Sequence, residues 1–204
     1  MAGAIAVAGE GLGEVMGAEL ALAEGMSESR RGEFLSGRAC ARAALARCGA
    51  RAVSVLRDVR GLPQWPRGFV GSITHCKGLC AAVAAPVETA AMVGLDIERT
   101  DRLSPAAIRR VVHPAEADWV RGERWRASLL FSLKEAFFKA QFPSLEISAN
   151  FRDLAVEIDL EGGRASCGEA GSHLEAVATD FAARGEFRFV TAGPHVASLC
   201  WLAA

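Results

Sequence analysis

Residues 69–98, FVGSITHCKGLCAAVAAPVETAAMVGLDIE, decide the fold class. Phe69–Ile73 and Leu79–Ala85 are short apolar runs joined across His75-Cys76-Lys77-Gly78. That is the pattern of a hairpin, two antiparallel strands with a short polar connection. A third strand, Ala91–Glu98, alternates: Val93, Leu95 and Ile97 face one way, Asp96 and Glu98 the other. Just upstream, GLPQWPRG (61–68) sets two prolines and two glycines around a tryptophan and reads as a loop.

Helical patterns flank this block. Residues 27–48 are rich in Ala, Leu and Arg, with Ser27 as a cap and Gly49 as a stop. On the helical wheel Arg31, Leu35, Arg38, Arg42 and Leu45 fall within about 80° of one another. A solvated face would separate arginines from large apolar residues, so this face reads either as ligand-binding or as snorkelling surface arginines. Residues 99–126 are irregular and arginine-rich, with helical turns at 104–111 and 114–121 that each have a proline near the start. A second long helix covers 127–141, with FSLKEAFFKA at its heart and Pro143 as its stop.

The remainder reads mostly as strand. Leu154, Val156, Ile158 and Leu160 alternate before Gly162-Gly163, and Phe187–Thr191 and Val196–Leu202 form a hairpin around Gly193-Pro194. Each half of the chain therefore runs helix, loop, strands, hairpin. The expected fold class is α+β, in two similar halves (1–90 and 91–204), each a long helix packed on a small, mainly antiparallel sheet.

Composition narrows the function. The 204 residues carry 23 Lys+Arg against 24 Asp+Glu, a net charge of −1, which argues against a nucleic-acid or membrane-surface binder. Six cysteines (40, 48, 76, 80, 167 and 200) show no zinc-type spacing. There is no basic and apolar leader and no apolar run near the roughly 20 residues that span a bilayer. A cytoplasmic protein is expected. The basic residues are nearly all arginine; only Lys77, Lys134 and Lys139 are lysines, and two of these share one short segment.

Two carboxylates at Asp96-x-Glu98 lie on one face of a strand, roughly 7 Å apart. They fit either a solvated edge or a hard divalent cation, since magnesium takes one or two protein carboxylates plus phosphate oxygens and water. Glu135 sits in an apolar helix beside Lys134 and Lys139, as an i,i+4 surface pair, a third metal ligand or a base. His75 and Thr74, at the end of a strand, are placed to hold a phosphate. No phosphate-binding P-loop, dinucleotide fingerprint or G-x-S-x-G elbow is present.

GSITHCKG (71–78), VGLDIE (93–98) and FSLKEAFFKA (131–140), in that order and spacing, resemble the signature of the 4′-phosphopantetheinyl transferase superfamily. RRGEFLSGRACAR (30–42) and GLPQWPRG (61–68) resemble its double-length branch serving siderophore and secondary-metabolite synthases, in which one chain folds as a pseudo-dimer with the active site between its halves. The motifs cover residues 30 to 142. The resemblance implies transfer of the phosphopantetheine arm of coenzyme A, the co-substrate, to a serine of an apo acyl or peptidyl carrier protein, with release of adenosine 3′,5′-bisphosphate. It implies a magnesium or manganese site at Asp96, Glu98 and Glu135, and pyrophosphate contacts from Lys134 and Lys139. It also implies nucleotide and 3′-phosphate contacts from Arg30, Arg38, Arg60, Thr74 and His75. Glu135 is the candidate base, with Lys134 and Lys139 as the other catalytic residues; Arg109 and Arg110 are candidates to face an acidic carrier. A monomer with no nucleic-acid or membrane partner is expected. Two alternatives stand beside the transferase, a magnesium-dependent hydrolase of nucleotides or pyrophosphates and a non-catalytic coenzyme-binding module.

Overall fold

A computed structural model describes residues 1–9 and 15–204. The chain divides into two compact units, Met1–Val93 together with Ala204, and Gly94–Ala203.

The first unit holds β1 (Ala2–Val7), α1 (Gly17–Leu22), α2 (Glu28–Arg47), β2 (Leu56–Arg57), β3 (Pro63–Gln64), β4 (Phe69–Cys76) and β5 (Leu79–Pro86). Its main sheet has the order β1-β5-β4, antiparallel throughout. Helix α2 lies across all three strands. It starts where the sequence indicates: Ser27 Oγ accepts the Arg30 N–H, and Gly49, at φ +80°, carries the chain away at the other end. Cys40, Ala41, Ala44 and Leu45 of α2 bury against Cys80, Ala82 and Ala84 of β5.

The hairpin is longer than its apolar runs indicate. Strand β4 continues through Thr74 to Cys76, with His75 opposite Cys80, because Lys77-Gly78 alone makes the turn. Gly78 adopts φ +85°, which only glycine takes without strain. The tryptophan of the 61–68 loop covers Gly71, where a Cβ would come within 2.5 Å of the Trp65 ring.

The second unit takes up most of β6 (Ala90–Arg99), followed by α3 (Pro105–Val111), α4 (Ala117–Val120), α5 (Arg124–Leu145), β7 (Leu154–Asp159), β8 (Arg164–Ala170), α6 (Glu175–Arg184), β9 (Gly185–Ala192) and β10 (His195–Ala203). Its sheet has the order β6-β10-β9-β8-β7. Helix α5 packs on β10. Phe137 meets Phe181 of α6 at 5.1 Å and Phe187 of β9 at 6.3 Å, an aromatic core in which all three rings are buried. The fold is mixed α+β, with long helices on antiparallel sheets.

Two sequence expectations need correction here. Helix α5 does not stop at 141 but runs to Leu145 with Pro143 inside it. A proline in the final turn forfeits only one helical bond, and the end falls at Glu146, φ +54°, whose N–H bonds the Phe142 carbonyl. The region after 143 is strand-rich as expected, but it also holds α6, which that reading lacks. Val177, Ala178 and Phe181 are the buried positions of α6, a 3.6-residue period hidden in a small-residue stretch.

Candidate active site

The site in the second unit begins with a glycine. Gly94, Asp96 and Glu98 share one face of β6. A Cβ on Gly94 would stand 1.9 Å from the Ala136 carbonyl oxygen and 2.7 Å from the Ala140 nitrogen, so α5 lies backbone-close against this face. Small residues on both elements permit that approach, and the approach brings the polar turn Glu135–Lys139 to the carboxylates.

Asp96 and Glu98 are both buried, at 3% and 8% exposure. Lys139 Nζ donates to Asp96 Oδ1 at 2.6 Å. Arg102 Nε lies 3.1 Å from Glu98 Oε2, and its guanidinium stacks 4.6 Å over the Phe131 ring. Burial, then the neighbouring charge of Asp96, pushes the Glu98 carboxyl up to about 7. Burial also pushes Glu135 up; Lys139 opposes that rise and Asp96 adds to it, so Glu135 feels the same charges.

Among the described residues no three of His, Cys, Asp and Glu converge as a metal-holding group. The expected cluster of three carboxylates, Asp96, Glu98 and Glu135, is therefore not formed in this geometry. Like charges repel, and Lys139 and Arg102 neutralise the two strand acids instead. The pair Asp96 and Glu98 still fits a hard divalent cation: both offer only oxygen, and both stand buried on one face of β6.

Lys134 requires the clearest correction. Its side chain is wholly buried, and its ammonium donates to Val111 O at 2.9 Å, Glu116 Oε2 at 2.8 Å and Phe151 O at 2.9 Å. Three donors with three acceptors leave nothing for a pyrophosphate. Counting lysines in the motif could not separate Lys134 from Lys139, which lie five residues and so about 140° apart around the helix.

In the first unit the structure brings Arg30 and His75 together. Arg30 Nη1 is 3.0 Å from His75 Nε2, and Glu33, which sequence reasoning missed, lies 3.2 Å from Arg30 and 3.6 Å from His75. Both Arg30 and His75 are exposed. Thr74 is turned away from His75 by strand alternation and is buried, so the two side chains do not cradle one phosphate.

Arg38 is 5% exposed, donates through Nε to Val55 O at 2.9 Å, and stacks 4.3 Å over Phe34, with Arg57 at 4.7 Å from the same ring. Burial, then Arg57, lowers Arg38 to about 10. The arginine-bearing face of α2 is thus partly interior, with Arg42 bonded to the buried Glu19, and of the pair Arg30 and Arg38 only Arg30 is presented to solvent. Arg60 pairs with Asp58 of its own loop at 3.0 Å.

No disulfide joins the six cysteines, all of them among the described residues. No helix among those residues is long and apolar enough to cross a membrane.

Comparison with known proteins gives the family of the chain. The 4′-phosphopantetheinyl transferase N-terminal domain matches residues 18–85, and the 4′-phosphopantetheinyl transferase superfamily matches residues 92–194. The chain is 36% identical to the 4′-phosphopantetheinyl transferase Npt of Nocardia iowensis over 72% of this chain and 68% of that protein. It is 38% identical to the 4′-phosphopantetheinyl transferase Svp of Streptomyces mobaraensis over 64% of this chain and 56% of that protein. The match thus spans little more than half of the length of Svp. Among solved structures, the holo-[acyl-carrier-protein] synthase of Thermotoga maritima aligns with a TM-score of 0.44 and 20% identity, over 54% of this chain and 62% of that one.

Proposed function

The chain belongs to the 4′-phosphopantetheinyl transferase superfamily, and on that premise we propose that it transfers the 4′-phosphopantetheine arm of coenzyme A to a serine of an acyl or peptidyl carrier protein. The carrier passes from apo to holo, and adenosine 3′,5′-bisphosphate leaves. The observation that carries this reading is the buried pair Asp96 and Glu98, held against the helix turn that bears Glu135 and Lys139.

Attack by a serine oxygen on a diphosphate phosphorus needs a proton acceptor and a sink for charge on the phosphate oxygens. Glu135 is the acceptor we assign. A carboxyl raised toward neutrality binds the hydroxyl proton better than an ordinary glutamate does. Lys139, partly exposed and paired with Asp96, is the point charge for a non-bridging phosphate oxygen. Asp96 and Glu98 would hold Mg²⁺ or Mn²⁺, which would supply further charge neutralisation on the diphosphate. Arg30, with His75 Nε2 accepting from it, is the exposed group assigned to the 3′-phosphate of coenzyme A. Arg109 and Arg110, exposed in the last turn of α3, complement an acidic carrier. We take the enzyme to act as a monomer in the cytoplasm.

Incubation of the protein with coenzyme A, Mg²⁺ and a panel of apo-carriers, read by intact mass spectrometry, tests the proposal. The expected result is a carrier heavier by one phosphopantetheine arm. Hydrolysed coenzyme A beside an unchanged carrier would favour the hydrolase.

A further inference from the structure

We infer that Lys134 and Glu116 form a buried strut that positions the Glu135–Lys139 turn of α5, which makes both of them positioning residues of the reaction. This rests on the transferase reading above.

Lys134 sits one residue before the assigned base, yet points into the interior of its unit. Its three bonds tie α5 to the last residue of α3 (Val111), to the 3₁₀ turn Pro114–Glu116 and to the 3₁₀ turn Phe151–Asp153. Glu116, 4% exposed, extends the strut: Oε2 also accepts the His113 N–H at 2.7 Å, and Oε1 accepts the Val156 N–H of β7 at 2.7 Å. Every donor and acceptor of the pair that the protein can reach is used, and the bonds leave in different directions.

The ion pair by itself returns little more than its desolvation cost, while an apolar pair would take these partners from the Val111 and Phe151 carbonyls and the His113 and Val156 N–H groups. What the charged pair adds is direction. A residue of helix advances about 100° around the axis, so fixing Lys134 from three sides fixes the rotation of α5 and with it the direction of Glu135 and Lys139. Gly94 against Ala136 and Ala140 sets how near the helix comes to β6. The strut sets which way its polar turn faces.

The test compares wild type with Glu116→Gln and, because that variant leaves an ammonium buried without its counter-charge, with the charge-free pair Lys134→Met/Glu116→Gln. Rates are taken per folded molecule on an apo-carrier, and amide exchange is followed in peptides covering 124–145. The expected result is kcat lower by about tenfold or more with KM for coenzyme A within about twofold, since displacement of a reacting group acts on the chemical step. Faster exchange around Lys134–Lys139 accompanies it. Wild-type kcat and exchange in the folded charge-free variant, whatever its melting temperature, overturn the strut, as does a rise in KM at unchanged kcat. A wild-type protein that modifies no carrier strikes the transferase reading instead, and the exchange measurement alone then decides the strut.

Discussion

Lys139 and Asp96, 43 residues apart in the chain, meet at 2.6 Å as an ammonium on a helix and a carboxylate on a strand. The pair keeps opposite charges matched on a face where water is largely excluded. Lys139 is the more exposed partner, at 30% against 4% for the Asp96 side chain, so the lysine is the one able to change partners.

Lys139→Met should lower kcat for carrier modification by about 100-fold, as loss of a charge on the reacting phosphate does. It should also destabilise the fold by about 1–3 kcal/mol, because Asp96 is left buried beside Glu98. Steady-state kinetics and urea titration of the same preparation separate the two effects; an unchanged kcat contradicts the assignment.

The raised Glu98 carboxyl makes stability depend on pH. A folded value of about 7 above an ordinary 4.5 means that the folded chain keeps a proton the unfolded chain has lost, so stability falls as pH rises through that window. Glu135, raised in the same direction, adds to the slope. The urea midpoint of the metal-free protein should therefore be lower at about pH 8 than at about pH 5.5, and Glu98→Gln should flatten the difference. A midpoint that rises with pH over this range contradicts the reading.

Gly94→Ala should cost about 3 kcal/mol or more, because the added methyl meets backbone atoms of α5 that cannot rotate away. Thermal denaturation measures it. A variant of wild-type stability would mean that α5 does not sit this close to β6.

Arg30→Ala should raise KM for coenzyme A by about tenfold with kcat nearly unchanged, the pattern of a lost ground-state phosphate contact. A steeper loss for coenzyme A than for its 3′-dephospho form would identify which phosphate Arg30 holds; equal losses would contradict the assignment.

Much of this fold is written in local patterns. Ser27 and Gly49 bracket α2, the apolar runs give the β4–β5 hairpin, and the alternation of 91–98 puts Asp96 and Glu98 on one face. What the pattern does not carry is long-range pairing. Strand β1, AGAIAV, lacks the β-branched and aromatic density that marks a strand, and it forms because β5 offers it an edge. In α6 the small alanines mask a helical period. The site divides the same way: the spacing of Lys134, Glu135 and Lys139 marks chemistry, but only the packed structure tells the solvent-facing lysine from the interior one. Glu116, which makes that distinction, reads in sequence as one more acid in an arginine-rich stretch.

The decisive measurement is the intact mass of an apo-carrier after incubation with coenzyme A, Mg²⁺ and either wild type or the Asp96→Asn/Glu98→Gln variant. The expected outcome is one added phosphopantetheine arm with wild type, none with the variant and none with a carrier whose acceptor serine is replaced by alanine. Full modification by the folded variant would contradict the account, because the two buried carboxylates would then have no part in the transfer.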